Sequence, residues 1–347
     1  MYFASDNCGP AHPAVMQAVA DANNSYQPSY GADAMTDELR RLIRDQFEAP
    51  EAAVYLVATG TAANSLALST LAQSWQTIFC TPLAHIHTDE CNAPEFYTGG
   101  AKLSLVGEAD KMTPDQLAAA IEGWTYGDVH VSQRGPVSIT QVTEQGHIYS
   151  LKEINALTGM ARTYRLPVHM DGARFANALA ALGCTPAEMT WRAGIDALSF
   201  GGTKNGCMGV EAVIFFDPKH AWEFELRRKR AAHLFSKHRY LSAQMIGYLR
   251  DKLWRDTATQ ANAACARLVA GLREIPGAVI TNTPQANMIF ATLPRATHQR
   301  LHDAGAAYGL FAPLKGDDPD EALPMRLVCD WSMSDDLIDR FLDIARG

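Results

Sequence analysis

Two short stretches, HMDGAR at residues 169–174 and SFGGTKNG at residues 199–206, decide the fold of this chain. Apolar residues run from Pro167 to Met170 and stop at Asp171, which predicts a short buried strand with Asp171 at its carboxyl end. A second apolar run, 195–200, predicts another strand, and the two glycines after it free the backbone just before Lys204. Because open α/β sheets bind ligands at the carboxyl ends of their strands, we expect Asp171 and Lys204 to meet at one edge.

A lysine and an aspartate in this arrangement are the pair that pyridoxal phosphate requires. The lysine amine holds the cofactor aldehyde as a Schiff base, and a carboxylate beside the ring nitrogen keeps the ring able to accept electrons. Arg174, three residues after the aspartate, could place a guanidinium beside the phenolate oxygen. Taken singly, these residues are better explained by a local Asp171–Arg174 ion pair and a solvated Lys204. Their combination favours the cofactor.

Composition limits the classes of partner. The chain has 347 residues, of which 47% are apolar and 20% are charged, enough for a main domain with a smaller one. A net charge of −8 argues against a nucleic acid or an acidic membrane surface as partner. No apolar run is long enough to span a membrane, and MYFASDNCGP does not have the pattern of a secretory signal. The seven cysteines include no CxxC pair, which suggests reduced thiols in the cytoplasm.

The order of patterns predicts three regions: an N-terminal arm with a first helix (1–30), a large cofactor-binding domain (31–240) and a small C-terminal domain (241–347). Strand and helix patterns alternate through about residue 215, which indicates an α/β domain with a mainly parallel sheet and helices on its faces. The small domain is predicted to be α+β, with one helix over 245–273, strands at 286–294 and 324–331, and helices at 296–305 and 335–346.

The junction Thr59-Gly60-Thr61 is a candidate phosphate site. It joins a predicted strand, 53–57, to a predicted helix, 61–73. A helix start offers free N–H groups and a positive dipole end, glycine permits close approach, and the hydroxyls donate further bonds. An ordinary helix cap explains the same residues equally well.

Two further residues are candidates for substrate contact. Tyr30 lies in a polar loop that leads into the second helix, although a plain helix entry explains it nearly as well. Arg326 is the lone charge in an apolar strand, and a buried arginine needs an anionic partner. That partner is either a substrate carboxylate or a structural one.

The segment 85–91 carries the main rival signal. His85, His87 and Asp89 have a spacing that also suits metal ligands, so a metal-dependent hydrolase is the alternative function. Against it, no second group of histidines or cysteines has complementary spacing, and we expect no metal site. A histidine here could instead stack on a pyridine ring and reach a substrate hydroxyl.

The chain resembles the low-specificity L-threonine aldolases, members of the fold type I pyridoxal-phosphate enzymes, over nearly its whole length. The motifs that carry the resemblance are SDN at 5–7, YGAD at 30–33, ATGTAAN at 58–64, His85, HMDGAR, Lys204 and MRLV at 325–328. The resemblance implies a seven-stranded sheet, pyridoxal 5′-phosphate as cofactor, and a homotetramer with active sites at dimer interfaces.

The resemblance also implies roles for single residues. Lys204 would carry the cofactor, Asp171 would bind the pyridine nitrogen and His85 would stack on the ring. The remaining roles are phosphate binding by Gly60, Thr61 and Arg239, phenolate contact by Arg174, and binding of the substrate carboxylate by Ser5 with Arg326.

One motif departs from the family pattern. Many members have Thr-His-Asn-Gly where this chain has Thr143-Glu144-Gln145-Gly146. Either Glu144 takes the role of the second active-site histidine, or another histidine such as His130 replaces it.

The implied reaction is retro-aldol cleavage of L-threonine or L-allo-threonine to glycine and an aldehyde, with His85 as the leading base. Within the same superfamily, a β-eliminating lyase or a phenylserine-type aldolase remains an alternative.

Overall fold

Short buried strands form the centre of the molecule, and the computed structural model describes all 347 residues. Seven strands make one sheet: β1 (Ala53–Val57), β2 (Gln76–Cys80), β3 (Lys102–Leu105), β4 (Gln133–Thr140), β5 (Val168–Gly172), β6 (Ala197–Gly201) and β7 (Glu211–Phe215). Their order is β1-β7-β6-β5-β4-β2-β3. Only β7 runs antiparallel to its neighbours. The predicted mainly parallel sheet is confirmed.

Both faces of this sheet are buried, as a mainly parallel sheet requires. Along β1, Val54 and Leu56 join one apolar core, whereas Tyr55 and Val57 join a second core on the opposite face. The helices that pack in the first core include α2 (Ala34–Gln46), α6 (Pro114–Glu122), α7 (Leu151–Thr163), α8 (Phe175–Leu182) and α11 (Arg239–Leu249). The second is covered by α3 (Gly60–Leu71) and α10 (Ala221–Arg230). The predicted helices on both faces are therefore confirmed.

A smaller antiparallel sheet follows in the C-terminal part of the chain. Its strands are β8 (Val279–Ile280), β9 (Met288–Pro294), β10 (Gly309–Leu310) and β11 (Ala322–Val328), in the order β10-β11-β9-β8. The helices around it are α12 (Leu253–Leu272), α13 (Arg295–Asp303) and α14 (Asp335–Arg346). These elements share a separate core of 20 buried residues. Near the other end of the chain, Phe3 belongs to the same core and bonds through its backbone to Ala307 and Val328.

The prediction of one helix over 245–273 was wrong. The chain breaks after Leu249, where Asp251 and Lys252 adopt left-handed backbone angles with φ of 52° and 62°. The break turns α12 so that the buried Trp254 packs on the rings of Phe175 and Phe200. Helix α11 packs in the core of the large sheet, and α12 runs on into the core of the small one, so one straight helix does not serve both. The division at residue 241 stays a prediction.

The remaining helices are short or peripheral. They are α1 (Pro13–Ala22), α4 (His85–Thr88), α5 (Ala93–Thr98) and α9 (Pro186–Met189). None of the helices has the length and apolar character that a bilayer crossing demands.

Candidate active site

Lys204 and Asp171 line the same cavity, which has a volume of about 410 Å³. Strands β5 and β6 are parallel neighbours, and Asp171 lies opposite Ser199. Lys204 follows β6 in a single helical turn, Thr203–Asn205. The carboxyl ends of the parallel strands thus bring a carboxylate and an amine into one space, as the strand pattern predicts. The other lining residues include Asn7, Thr59, Gly60, Thr61, Asn64, His85, Asp89, Glu144, Arg174 and Glu211.

The Lys204 amine is set up for attack on an aldehyde. The Arg174 charge and burial lower the pKa of Lys204, although Asp6, Asp171 and Glu211 act in the opposite direction. A lower pKa leaves more of the neutral, nucleophilic amine at neutral pH. Glu211, which no sequence motif singles out, accepts a 2.8 Å hydrogen bond from the Gly202 N–H.

Asp171 is buried and held in one orientation. Its Oδ2 accepts a 2.8 Å hydrogen bond from the side-chain amide of Asn64, and its Oδ1 accepts one of 3.0 Å from the N–H of Ala173. Asn64 lies on α3, inside the ATGTAAN motif, but the sequence pattern alone does not predict a role for it. A carboxylate has enough lone pairs to accept two such bonds and still face a pyridinium N–H.

The Thr59-Gly60-Thr61 junction has the geometry of an anion cradle. Thr59 caps α3 by accepting a hydrogen bond from the Ala62 N–H, and Gly60 is the first residue of the helix. A Cβ built on Gly60 would meet no atom within 4 Å, so packing does not demand glycine there. The small residue instead leaves space at a helix start, which suits a phosphate.

Arg174 lines the cavity but does not pair with Asp171. Its guanidinium makes two hydrogen bonds to Asp6, of 2.7 and 2.9 Å. Asp6 in turn accepts a 3.0 Å bond from Asn287. The expected local alternative, an Asp171–Arg174 ion pair, is therefore replaced by a pair with the N-terminal segment, 168 positions away. Asp6 belongs to the SDN motif but has no role predicted from the sequence, and Asn287 stands in no motif.

His85 belongs to a hydrogen-bonded chain that leads back to Asp171. Its Nδ1 lies 2.8 Å from Oε1 of the buried Glu90, and the same Glu90 oxygen accepts a 2.9 Å bond from Asn64. The bond to Glu90 raises the pKa of His85, against the effect of burial. Only Nε2 of the imidazole remains free for a ligand.

Glu144 lies beside His85 in the cavity. Its Oε1 accepts a 2.7 Å hydrogen bond from the backbone N–H of His85, whereas its Oε2 is buried and has no partner. Burial, and secondarily the charge of Asp171, raise the pKa of Glu144 to about 7.

Ser5 and Arg326 lie next to each other at the junction of the N-terminal segment and β11. Arg326 donates a 3.3 Å bond to the carbonyl of Ala4, and its buried Nε has no partner. Burial and the nearby Arg174 lower the pKa of Arg326. Ser5 Oγ accepts a 3.1 Å bond from the Asn7 N–H, and Asn7 itself lines the cavity. Arg326 has no ion pair within the chain, so the structural carboxylate expected as one alternative is not present.

Five candidate residues do not line this cavity in the single chain: Ser5 and Arg326, described above, and Tyr30, Arg239 and His130. Tyr30 is half exposed in a separate depression, with the Lys229 ammonium 5.0 Å from its ring. Arg239 begins α11 and bonds to Tyr240. His130 is exposed in a turn, where its N–H donates to Asp128.

The metal-ligand alternative lacks a ligand set. The ring of His87 is bonded to the carbonyl of Pro82, and Nδ1 of His85 is bonded to Glu90. Across the chain, no three histidine, cysteine or acidic side chains converge as a metal site would require.

Comparisons with known proteins agree with this geometry. The sequence profile of the β-eliminating lyase family matches residues 2–294. A low specificity L-threonine aldolase of Pseudomonas sp. (strain NCIMB 10558) is 40% identical over 95% of this chain and 92% of its own. A low specificity L-threonine aldolase of Pseudomonas aeruginosa PAO1 is 39% identical over 99% of this chain and 96% of its own. The structure of threonine aldolase from Leishmania major superposes with a TM-score of 0.91 at 26% identity, covering 99% of this chain and 98% of that one.

A seven-stranded sheet that presents a lysine, an aspartate and a glycine-containing helix start at one edge defines a pyridoxal-phosphate-dependent enzyme of fold type I. The chain belongs to the β-eliminating lyase family, in the branch of the low-specificity L-threonine aldolases.

Proposed function

We propose that this protein is an aldehyde-lyase that cleaves L-threonine, L-allo-threonine and related β-hydroxy-α-amino acids into glycine and an aldehyde. The observation that carries the proposal is the single cavity shared by Lys204, Asp171 and the Gly60 junction. Relatives of about 40% identity over nearly the whole chain bear the name low specificity L-threonine aldolase, which supports the same substrate class.

The residues of the cavity fit pyridoxal phosphate. Lys204 would hold it covalently, Asp171 would face its ring nitrogen, and Thr59, Gly60 and Thr61 would bind its phosphate. His85 would cover the ring, and Arg174, fixed by Asp6, would reach the phenolate oxygen. When bound, the cofactor supplies an electron sink for the bond that breaks at the substrate Cα.

The chain itself contributes binding, orientation and proton transfer. Arg326, with an unpartnered Nε, and the adjacent Ser5 would hold the substrate carboxylate, with Arg174 close by. Fixing that carboxylate would hold the substrate in one orientation relative to the cofactor. Asp171 would favour a proton on the ring nitrogen through its negative charge. The β-hydroxyl proton would be taken up in the corner of the cavity where His85 and Glu144 meet.

A second copy of the chain would complete the site. The phosphate cradle has no arginine of its own, because Arg174 pairs with Asp6. Tyr30 and Arg239 lie outside the cavity, and exposed Trp222 and Leu226 lie beside Tyr30 in the same depression. We therefore propose a homotetramer in which dimer contacts bring Tyr30 and Arg239 to the neighbouring cavity. Mixing Lys204→Ala and Arg239→Ala subunits tests this arrangement, because shared sites predict that the mixture regains activity that neither variant has alone.

We also place the enzyme in the cytoplasm. All seven cysteines are free, which agrees with a reducing compartment. Cell fractionation checks this assignment.

The deciding assay uses the purified holoenzyme. The proposal predicts a violet absorption band that borohydride bleaches, and stoichiometric release of acetaldehyde and glycine from threonine. The variant Lys204→Ala should lose both. Cofactor without aldehyde release would favour a β-eliminating lyase, and cleavage of phenylserine alone would favour a phenylserine-type aldolase.

A further inference from the structure

The carboxyl group of Glu144 has an environment that is unusual for a glutamate. One oxygen is bonded to the His85 N–H at 2.7 Å, and the other, Oε2, is buried without any partner. A buried polar oxygen without a hydrogen bond is costly, so it calls for an explanation by function. Because Glu144 lines the cavity, Oε2 is the atom of this side chain that remains free to bond a ligand.

The loop around Glu144 is fixed rather than mobile. The carboxylate of Asp110 accepts hydrogen bonds from the Thr143 hydroxyl and from Nδ1 of His147. The Thr143 hydroxyl also accepts a 3.0 Å bond from the N–H of His147, and the N–H of Gly146 bonds to the Thr143 carbonyl. These contacts bind both sides of the turn and set the position of Glu144 before any substrate enters.

The two histidines that compete for the role are poorly suited. Nδ1 of His85 is bonded to Glu90, which raises the pKa of His85 and favours the form that has no site free to accept a proton. His130 is exposed in a turn and does not line the cavity.

On these grounds, and resting on the proposed aldolase function, we propose that Glu144 Oε2 is the base that takes the proton from the β-hydroxyl of the substrate. In the cleavage step, the O–H bond breaks and its proton passes to Oε2. The oxygen electron pair forms the C=O bond of the aldehyde as the Cα–Cβ pair moves into the electron sink. Oε2 then releases this proton to water, and Cα of glycine takes a proton from water, so the reaction needs no further reactant. In aldol synthesis, protonated Glu144 returns the proton to the new alkoxide.

The charges around Glu144 suit this exchange near neutrality. Burial and the negative charge of Asp171 raise its pKa to about 7, against the bonds from backbone N–H groups and the charge of His85. The titratable groups that act on it from the surrounding elements are His85, Asp171, Arg174, Cys80 and Tyr149. A carboxyl that titrates near the working pH is efficient as both acceptor and donor.

The test compares the wild type with Glu144→Gln, which keeps the shape and the bond to His85 but cannot exchange a proton. We expect kcat for threonine cleavage to fall by roughly 10²–10⁴-fold, the usual range for a positioned acid–base group. In the wild type, kcat/KM should rise with pH through about 7, and this rise should be absent in the variant. Glu211 also has a pKa of about 7, so the pKa alone does not identify the group that causes the rise in kcat/KM. The loss of the rise in Glu144→Gln identifies it.

Two readouts separate a base from a structural role. Glycine has no β-hydroxyl, so exchange of its α-proton with deuterated water should persist in Glu144→Gln. The infrared difference spectrum of wild-type minus Glu144→Gln holoenzyme should show a protonated carboxyl band that disappears through about pH 7, whereas the band of Glu211 remains in both proteins and cancels. The matched control is Glu95→Gln, since Glu95 also has a buried oxygen without a partner but lies outside the cavity. This control should behave like the wild type.

The outcomes are distinct. If Glu144→Gln cleaves threonine with the wild-type pH dependence, the assignment of the base is wrong while the aldolase function stands. Loss of glycine exchange in step with cleavage would also overturn it, because the residue would then only maintain the site. A wild type that releases no aldehyde from any β-hydroxy amino acid would end both proposals.

Discussion

The side-chain amide of Asn64 lies 2.8 Å from Oδ2 of Asp171 and donates a hydrogen bond to it. The same Nδ2 lies 2.9 Å from Oε1 of Glu90, which is bonded to His85. One amide nitrogen thus links the carboxylate expected beneath the ring nitrogen with the histidine expected above the ring. This buried residue of α3 therefore helps to orient both groups, together with the Ala173 N–H and Glu90.

Replacing Asn64 by alanine removes the donor from two buried carboxylates. Leaving such groups unsatisfied should lower the free energy of unfolding by about 1–3 kcal/mol. The variant should also bind pyridoxal phosphate more weakly, as measured by spectroscopic titration. Asn177→Ala is the control, because Asn177 is equally buried but bonds to Asn262 away from the site. If both variants lose cofactor affinity alike, the effect is general destabilisation.

Asp171→Asn should separate cofactor binding from turnover. The asparagine cannot hold a proton on the ring nitrogen by charge, so kcat should fall by roughly 10²–10⁴-fold while some cofactor still binds. The new amide also faces the Asn64 donor. The double variant Asp171→Asn with Asn64→Asp restores that hydrogen bond, but the negative charge then lies at position 64 instead of position 171. Because the carboxylate at position 64 would also face the buried Glu90, thermal stability should be regained only in part, and turnover should not be regained. Recovery of turnover would refute the electron-sink role.

Gly60→Ala tests the phosphate cradle. A Cβ at this position meets no protein atom within 4 Å, so the free energy of unfolding of the cofactor-free protein should be maintained or slightly increased. The methyl group would project into the space expected for phosphate, and the Kd for pyridoxal phosphate should increase. Gly159→Ala in α7, which also meets no atom within 4 Å, is the control with unchanged Kd. An unchanged Kd in Gly60→Ala would place the phosphate elsewhere.

Asp6→Asn should destabilise the fold in a pH-dependent way. Losing one partner of the buried Arg174 pair should cost about 3–5 kcal/mol of unfolding free energy at pH 7. Burial alone would raise the pKa of Asp6, but Arg174, Lys204 and the hydrogen bonds outweigh burial and lower it. Because the pKa of Asp6 is lower in the folded than in the unfolded protein, its charge stabilises the fold at pH values above the unfolded pKa. This stabilisation is lost as the pH falls through the folded pKa. The difference between wild type and variant should therefore shrink below about pH 4.

Urea unfolding at several pH values measures the Asp6 effect. The control is Glu48→Gln, which breaks the exposed pair with Arg192 and should cost less than about 1 kcal/mol. A difference that does not change with pH would mean that the Asp6 charge is not the stabilising feature.

The sequence was informative where chemistry and strand ends coincide. Asp171, Lys204 and the Gly60 junction each follow a buried strand, and parallel strands place such residues at one edge whatever their separation along the chain. The partners of these residues could not be predicted, because no local pattern pairs Arg174 with Asp6 over 168 positions or Asp171 with Asn64 over 107.

Other errors had local causes. Glu90 lies in a segment whose residue spacing also suits metal ligands. Its bond to His85 could not be predicted, because it depends on the turn after α4. The break at Asp251 was hidden because neither it nor Lys252 is a glycine or a proline, the usual signals that end a helix. Tyr30 and Arg239 lie outside the cavity of their own chain, and their roles remain predictions that a second subunit would have to fulfil.

The N-terminal segment has a mechanical consequence. Phe3 is held at the small sheet by backbone hydrogen bonds to Ala307 and Val328. Three residues later, Asp6 accepts two hydrogen bonds from Arg174 at the edge of the large sheet. Because these two anchored residues are so close along the chain, a movement of the C-terminal sheet relative to the large sheet would displace the Arg174 guanidinium. The charge that Arg174 presents to the active site would therefore change with any such movement.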